Sequence, residues 1–328
     1  MSKISIVGSG AWGTTLSILF AENGHSVTLW SFEKEVTGDI NEFRENKKYL
    51  NGFQLPSNVE ATSDLKVAAD AEIIVFVTPS QFLRTTAKNI AKFIEKRPII
   101  ASAVKGLEIE TQKTMSNVIR EELGGGLVTV ISGPNISKEI ARGLPAATVA
   151  ASRRLEDAVT VQKALNSGRF RVYTNSDVTG VELGGALKNV ISIAAGICDG
   201  LGFGSNAKAA LMVRGMAEIT RLGVALGGKN ETFYGLSGMG DLITTCSSVL
   251  SRNHHVGVEI AKGIKLKDIK EKMYDVAEGV PTAKAAKEIA KKLNIDMPIT
   301  TEIYSILYEN KDANKSMASL MQRDLKNE

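Results

Sequence analysis

The sequence predicts an α/β chain: a doubly wound parallel, Rossmann-like sheet followed by an all-helical C-terminal domain. Three observations carry this. Short β-branched runs alternate with helical patterns from residue 3 to about 174. A Gly8-Ser-Gly-Ala-Trp-Gly13 turn separates the first strand from the first helix. After Thr174 the strand signals stop. At 328 residues the chain exceeds what one hydrophobic core usually supports, so we divide it into residues 1–175 and 176–328.

Lys3–Val7 is the first strand, and residues 14–23 have helical spacing closed by Gly24. Between them, Gly8 permits the tight turn, Gly10 lets the backbone approach a pyrophosphate, and Gly13 lets helix and strand pack closely. The helix N-terminus adds donors and partial positive charge for the phosphates. Trp12 is either a lid near a cofactor or a packing residue. Ser26–Trp30 is the second strand, and the residue near its end usually reads the adenosine ribose. Glu33, about 20 residues past Gly13, either accepts from the ribose hydroxyls or opens the polar helix 33–44, where an acid suits the N-terminus.

Residues 72–77 form a continuous apolar run of the kind buried on both faces of a parallel sheet. Pro79 ends it, and Ser80 is placed to cap a helix running to about residue 94. Residues 99–104 follow, with Lys105 just past the strand end, where open α/β sheets bind ligands; the alternative is a surface loop lysine. The strand 127–131 runs into Ser132-Gly-Pro-Asn135, where Gly133 allows close backbone approach and Asn135 or Ser137 begins a helix. Residues 146–151, 155–165 and 170–173 read as strand, helix and strand.

Residues 178–201 begin the second half. Between Glu182 and Asp199 the sole side chain expected to carry charge is Lys188. Apolar residues fall on every side, and small residues from Gly184 to Gly196 let backbones come close, so the segment reads as a helix buried nearly all round. Desolvation lowers a lysine pKa and makes an ammonium that exchanges its proton near neutral pH. The alternatives are a snorkelling lysine or a structural pair. Residues 206–226 form a second long helix.

Gly235-Leu-Ser-Gly-Met-Gly-Asp-Leu242 suits a loop passing close to a backbone or ligand. Asp241 at its end is a turn residue, or a carboxylate that orients Lys188. Residues 251–263 read as a helix whose first turn holds Arg252 and Asn253. A cation there is unfavourable unless an anion sits there too, and a phosphate would resolve the conflict; otherwise Arg252 faces solvent. The adjacent His254 and His255 cannot form an i, i+4 metal pair. Lysine-rich 262–272 and 284–292 are solvated helix faces. Residues 276–281 form a loop, and 301–307 and 316–325 are closing helices.

A net charge of +4 with 5% aromatics gives no support for nucleic acid binding. No segment calls for a membrane, and no cysteine or histidine spacing suggests zinc. Cys198 and Cys246 stand alone, which points to a reducing compartment, and with no leader pattern at the start we expect a cytoplasmic protein.

Together, Gly8-Ser-Gly-Ala-Trp-Gly-Thr14, Val104-Lys-Gly106, Ser132-Gly-Pro134, Gly180-Val-Glu-Leu-Gly-Gly-Ala-Leu-Lys-Asn189, Asn206-Ala-Lys-Ala-Ala210, Gly238-Met-Gly-Asp-Leu242 and Ser251-Arg-Asn253 resemble the bacterial NAD(P)-dependent sn-glycerol-3-phosphate dehydrogenase family, nearly end to end. The resemblance implies interconversion of dihydroxyacetone phosphate and sn-glycerol 3-phosphate with NAD or NADP, feeding glycerophospholipid synthesis, usually by a cytoplasmic homodimer. Lys188 would donate or accept the proton, Lys105 and Asn189 would polarise the carbonyl oxygen, and Asp241 would hold Lys188. Ser251, Arg252 and Asn253 would grip the phosphate, with Gly133 and Asn135 lining the pocket. The cofactor would lie along Gly8, Gly10, Ala11, Trp12 and Gly13, with Phe32, Lys105, Ser137, Arg252, Val276 and Glu278 around it.

This chain departs from the family at Phe32-Glu33, where bacterial members commonly show His-Arg, at Asn135, where Ser or Thr is usual, and at Ser137, where Ala is common. Two other readings share the sheet: a β-hydroxyacid-type dehydrogenase, and a non-catalytic dinucleotide sensor, which has no reason to bury Lys188.

Overall fold

A computed structural model describes residues 1–273 and 276–325; the last three residues of the predicted helical domain lie outside them. The strands are β1 (Lys3–Val7), β2 (Ser26–Trp30), β3 (Glu45–Asn46), β4 (Leu50–Gln54), β5 (Val59–Thr62), β6 (Ile73–Phe76), β7 (Ile99–Ser102), β8 (Val128–Ser132), β9 (Ala146–Ala151) and β10 (Phe170–Asn175). Eight of them form one sheet in the order β10-β9-β8-β7-β6-β1-β2-β5. The strand order reverses at β1, where open α/β sheets bind ligands beyond the strand ends.

Burial explains why β6 reads as an unbroken apolar run. Ile73 and Val75 enter one core with Ile4, Ile6 and Leu16, while Ile74 and Phe76 enter a second with Val7 and Leu83. Both faces are covered, so alternation has nothing polar to display.

The sheet departs from the expected pattern at one junction. β8 and β9 pair antiparallel, while β9 and β10 pair parallel to each other. A parallel return needs a long crossover, usually helical, and the connection from Ser132 to Ala146 carries only the five-residue helix Ser137–Ala141. Residues 45–62 are a further difference. They hold the two-stranded β3–β4 sheet and the edge strand β5, none of which sequence patterning announced, because these strands are short and partly exposed.

After Asn175 every element among the described residues is helical. Helix Val178–Gly200 is long and apolar enough by composition to cross a membrane, yet its most apolar stretch is entirely buried inside the protein. It is the axis of the helical domain, packed by helices Gly204–Ala225, Asp241–Ser247, Arg252–Ala261 and Gly279–Leu293. Leu187, Val190, Ile191 and Ile193 are essentially inaccessible to solvent, each contributing about 1.5–3 kcal/mol by burial. The crossing with helix Arg252–Ala261 is backbone against backbone: a Cβ on Gly196 would strike the His254 carbonyl, and one on Gly257 the Ile193 carbonyl.

The stretch expected as a glycine-punctuated loop is helical instead. Leu236–Gly240 winds as a π-type turn straight into helix Asp241–Ser247. The glycines serve close packing there: a Cβ on Gly238 would overlap the Phe233 backbone. Ser80 also differs from expectation. It opens a short 3₁₀ turn, Ser80–Phe82, and its hydroxyl donates across to Glu278 instead of capping its own helix.

Gly257→Ala should lower stability by about 1–3 kcal/mol or more through overpacking. Gly38→Ala, in helix Lys34–Phe43 with open space around its Cβ position, should raise it by about 0.5–1 kcal/mol. Urea unfolding followed by circular dichroism checks both, and equal effects would refute the crossing argument.

Candidate active site

Lys188 sits mid-way along the buried axis helix and is 5% exposed, so it does not snorkel to the surface. Its Nζ donates to Asp241 Oδ1 at 2.9 Å and to Thr245 Oγ1 at 2.5 Å. Lys105, just past β7, reaches the same aspartate from the sheet side: its Nζ donates to Asp241 Oδ2 at 2.6 Å and to the Gly133 carbonyl at 2.8 Å. One buried carboxylate therefore bridges two ammonium groups, one from each half of the chain.

Burial alone would raise the Asp241 carboxyl, but Lys105 and Lys188 outweigh it and hold the group below the usual carboxylate range. Burial lowers the Lys188 ammonium to about 8, partly offset by attraction to Asp241 and reinforced by repulsion from Lys105. A lysine at that value exchanges a proton near neutral pH. Thr245 was not foreseen. It lies four residues after Asp241 and also bonds Asp241 Oδ1 at 3.1 Å; reading 241–247 as a helix would have put both on one face.

Asn189 Oδ1 accepts from Asn253 Nδ2 at 2.9 Å, and Asn253 Oδ1 accepts from the Gly279 amide at 2.8 Å. Both asparagines are buried. Asn253 thus orients Asn189 as well as standing in the first turn of helix Arg252–Ala261. Ser251 caps that helix, its Oγ accepting from the His254 amide at 3.2 Å. Arg252 is exposed at the helix start and acts electrostatically on Glu278. His254 turns away to Asp199, at 2.7 Å.

Asn135 is bound to β9: its Nδ2 donates to the Ala147 carbonyl at 3.1 Å and its Oδ1 accepts from Thr148 at 2.9 Å. Gly133 lies beside it, with Thr148 where a Cβ would stand.

The dinucleotide fingerprint is preserved in detail. Gly8 adopts a φ of +128° against the backbone of residues 77–78, and a Cβ on Gly13 would overlie the Gly8 carbonyl. Gly10 has open space where its Cβ would be, at the N-terminus of helix Ala11–Glu22. Thr78 Oγ1 and Trp30 Nε1, at the ends of β6 and β2, are buried without a partner among the described residues. An open glycine at a helix N-terminus, behind a tight glycine turn, fits a dinucleotide.

Around it, Ala11 begins the helix, and Thr15 Oγ1 reaches the Ser137 carbonyl at 3.3 Å, which seats Ser137 beside the fingerprint. Trp12 is half-buried, its ring 6.4 Å from that of Phe170. Phe32 and Val276 are exposed. Glu33 stands at the N-cap of helix Lys34–Phe43 but makes no cap bond; its carboxylate accepts instead from Lys48 Nζ at 2.6 Å and Tyr49 OH at 2.8 Å.

Glu278 is half-buried, and its carboxylate receives both the backbone amide, at 2.8 Å, and the hydroxyl of Ser80. It therefore ties the helical domain to the loop after β6. Glu182, also unforeseen, makes a second tie, accepting from the Ser116 amide at 2.7 Å and the Ser116 hydroxyl at 2.6 Å at the start of helix Met115–Glu122.

Residues 3–158 match the family described as the N-terminus of NAD-dependent glycerol-3-phosphate dehydrogenase, and residues 177–318 match its C-terminus. The chain belongs to the NAD-dependent glycerol-3-phosphate dehydrogenase family. It is 47% identical over 330 residues to a glycerol-3-phosphate dehydrogenase (NAD(P)+) of Citrifermentans bemidjiense, covering 99% of this chain and 98% of that one. A relative of the same name from Clostridium botulinum is 47% identical over 329 residues, covering 100% and 99%. Among solved structures, glycerol-3-phosphate dehydrogenase from Coxiella burnetii superposes with a TM-score of 0.95 at 36% identity, covering 98% of this chain and 99% of that one. Members of this family are NAD(P)-dependent enzymes, which removes the non-catalytic sensor and the β-hydroxyacid reading.

Asp241→Ala would leave buried Lys188 and half-buried Lys105 without their shared anion. It should destabilise the protein by about 3–5 kcal/mol, read from the denaturant midpoint, and a loss under about 1 kcal/mol would show that the triad carries little stability.

Proposed function

We propose that this chain interconverts dihydroxyacetone phosphate and sn-glycerol 3-phosphate with NAD or NADP as cofactor, supplying glycerophospholipid synthesis. Residues 1–175 hold the dinucleotide, and residues 176–328 supply the substrate and proton-transfer groups. The observation that carries the reading is the Lys188–Asp241–Lys105 triad, which joins the helical domain to the end of a strand of the fingerprint's own sheet, in a chain of this family.

A nicotinamide cofactor held along Gly8, Gly10 and Gly13 would supply or take up the hydride. Lys188 Nζ gives its proton to the carbonyl oxygen in reduction and removes it from the hydroxyl in oxidation. Lys105 and Asn189 stabilise charge on that oxygen, in a setting dry enough to strengthen each interaction. Asp241 keeps both lysines aimed, and Thr245 fixes the Lys188 rotamer. Arg252, with the N-terminal amides of helix Arg252–Ala261, receives the substrate phosphate; Ser251 sets the helix start and Asn253 holds Asn189, while Gly133 and Asn135 close the wall. Gly8, Gly10, Ala11 and Gly13 cradle the pyrophosphate, with Trp12, Phe32, Ser137, Val276 and Glu278 around the cofactor seat.

Reduction needs Lys188 protonated, so its rate should fall as pH rises through about 8. Oxidation needs the neutral amine, so its rate should rise over the same window. Asp241→Asn, which removes the charge favouring the ammonium, should move that midpoint to lower pH. Lys188→Ala should lose roughly 10²–10⁴-fold in turnover while still binding dinucleotide. Following the nicotinamide absorbance with dihydroxyacetone phosphate tests all of this; a folded, dinucleotide-binding wild type without turnover would overturn the assignment.

The reading extends to a homodimer in the cytoplasm. The reduced, buried state of Cys198 and Cys246 supports the compartment. Exposed Ala209, Val213 and Val224 on helix Gly204–Ala225 support self-association. Light scattering should give twice the chain mass, and a monomer at micromolar concentration would refute the dimer.

A further inference from the structure

Glu33 is built into the fingerprint by two routes. Its backbone amide donates to Ser31 Oγ at 3.2 Å, and Ser31 Oγ accepts from Ser9 Oγ at 2.7 Å; Ser9 lies between Gly8 and Gly10. On the other side, Asn46 Nδ2 donates to the Ser9 carbonyl at 2.7 Å and to Thr14 Oγ1 at 2.8 Å, and Asn46 Oδ1 accepts from the Tyr49 amide at 3.0 Å. Tyr49 and its neighbour Lys48 then hold the Glu33 carboxylate at 2.8 and 2.6 Å. The β3–β4 region, which patterning missed, exists at this position to brace one acid at the end of β2.

The carboxylate is also reachable. Glu33 and Lys48 side chains are 34% and 32% exposed, so a ligand lying along the fingerprint meets them. Burial draws the Glu33 carboxyl upward, but the bonds from Lys48 and Tyr49 outweigh it and keep it ionised at neutral pH.

Three cations of the neighbouring segment are committed to other partners. Lys48 is paired with Glu33. Lys47 lies over the Phe43 ring, 3.3 Å from its centroid, and 3.4 Å from Asp39. Arg44 turns its guanidinium to the backbone carbonyls of Val59, Leu55 and Pro56, so its fork is unavailable for bidentate phosphate binding.

We propose that Glu33, clasped by Lys48 and Tyr49, reads the 2′ position of the adenosine ribose and makes NAD(H) the preferred cofactor over NADP(H). A ribose 2′-hydroxyl donates to the carboxylate. A 2′-phosphate meets like charge, and it can recruit Lys48 only by stripping Glu33 of its counterion. The proposal rests on the dinucleotide-binding reading of the fingerprint.

Of the two tryptophans of the chain, Trp12 lies within the fingerprint and the Trp30 carbonyl accepts from the Gly8 amide at 3.1 Å, so their fluorescence reports binding without turnover. The experiment titrates NAD⁺ and NADP⁺ into wild type, Glu33→Gln and Lys48→Met. Wild type should bind NAD⁺ roughly tenfold or more tighter than NADP⁺. Glu33→Gln should bring the two within about threefold, chiefly by gaining NADP⁺ affinity. Lys48→Met, which leaves the carboxylate without its counterion, should widen the gap. NADP⁺ binding as tightly as NAD⁺ in wild type, or a wild-type preference that both variants leave unchanged, overturns the proposal. Should Glu33→Gln not fold, the wild-type ratio and Lys48→Met still decide. Binding of neither nucleotide by wild type overturns the fingerprint reading itself, a separate result.

Discussion

One carboxylate holding two lysines is the constraint from which the rest of the site follows. Two ammonium groups, one buried and one half-buried, repel each other, and the buried one is costly without an anion. Asp241 satisfies Lys188 through one oxygen and Lys105 through the other. Because Lys105 leaves the sheet and Lys188 belongs to the helical axis, the bridge also fixes how the two halves meet. The same arrangement lowers the Lys188 ammonium toward neutrality, so the interaction that assembles the site is the one that makes it reactive.

Two further carboxylates from the helical half extend this tie. Glu182 and Glu278 each place both oxygens on a serine in the first turn of a helical element of the sheet half. Helix starts offer unpaired amides and partial positive charge, and a buried carboxylate is a matched partner for them. Residue Glu278 carries this further, since the next amide, Gly279, holds Asn253 and through it Asn189. The loop after β6 and the substrate end of the site are therefore linked through two consecutive residues.

Local pattern made much of this legible. β1, β2 and β9 fell where β-branched or apolar runs place them, the fingerprint was readable from three glycines in context, and the buried axis helix announced itself by its lack of charge. Lys188, Asp241 and Lys105 were identifiable as candidates by residue type and position, and the family resemblance assigned their roles. Less legible were the elements with weak periodicity. β3, β4 and β5 are too short to show alternation, and the Leu236–Gly240 turn is hidden because glycine signals loops and close helix packing alike. Thr245 was missed for that reason, and Glu182 because its partner, Ser116, lies 66 positions away in sequence.

What the sequence determined by itself is what depends on neighbours along the chain: which segments form strands or helices, where the glycines let backbone meet phosphate, and which lysine had to be buried. The tertiary structure decided what depends on distance through space. It made β9 run antiparallel, turned Glu33 toward Lys48 and Tyr49, and brought two lysines 83 positions apart (188 − 105) onto one aspartate. The reason is physical: periodicity records whether a residue is buried, whereas the choice of a charged partner is made only when desolvation forces each buried group to find one.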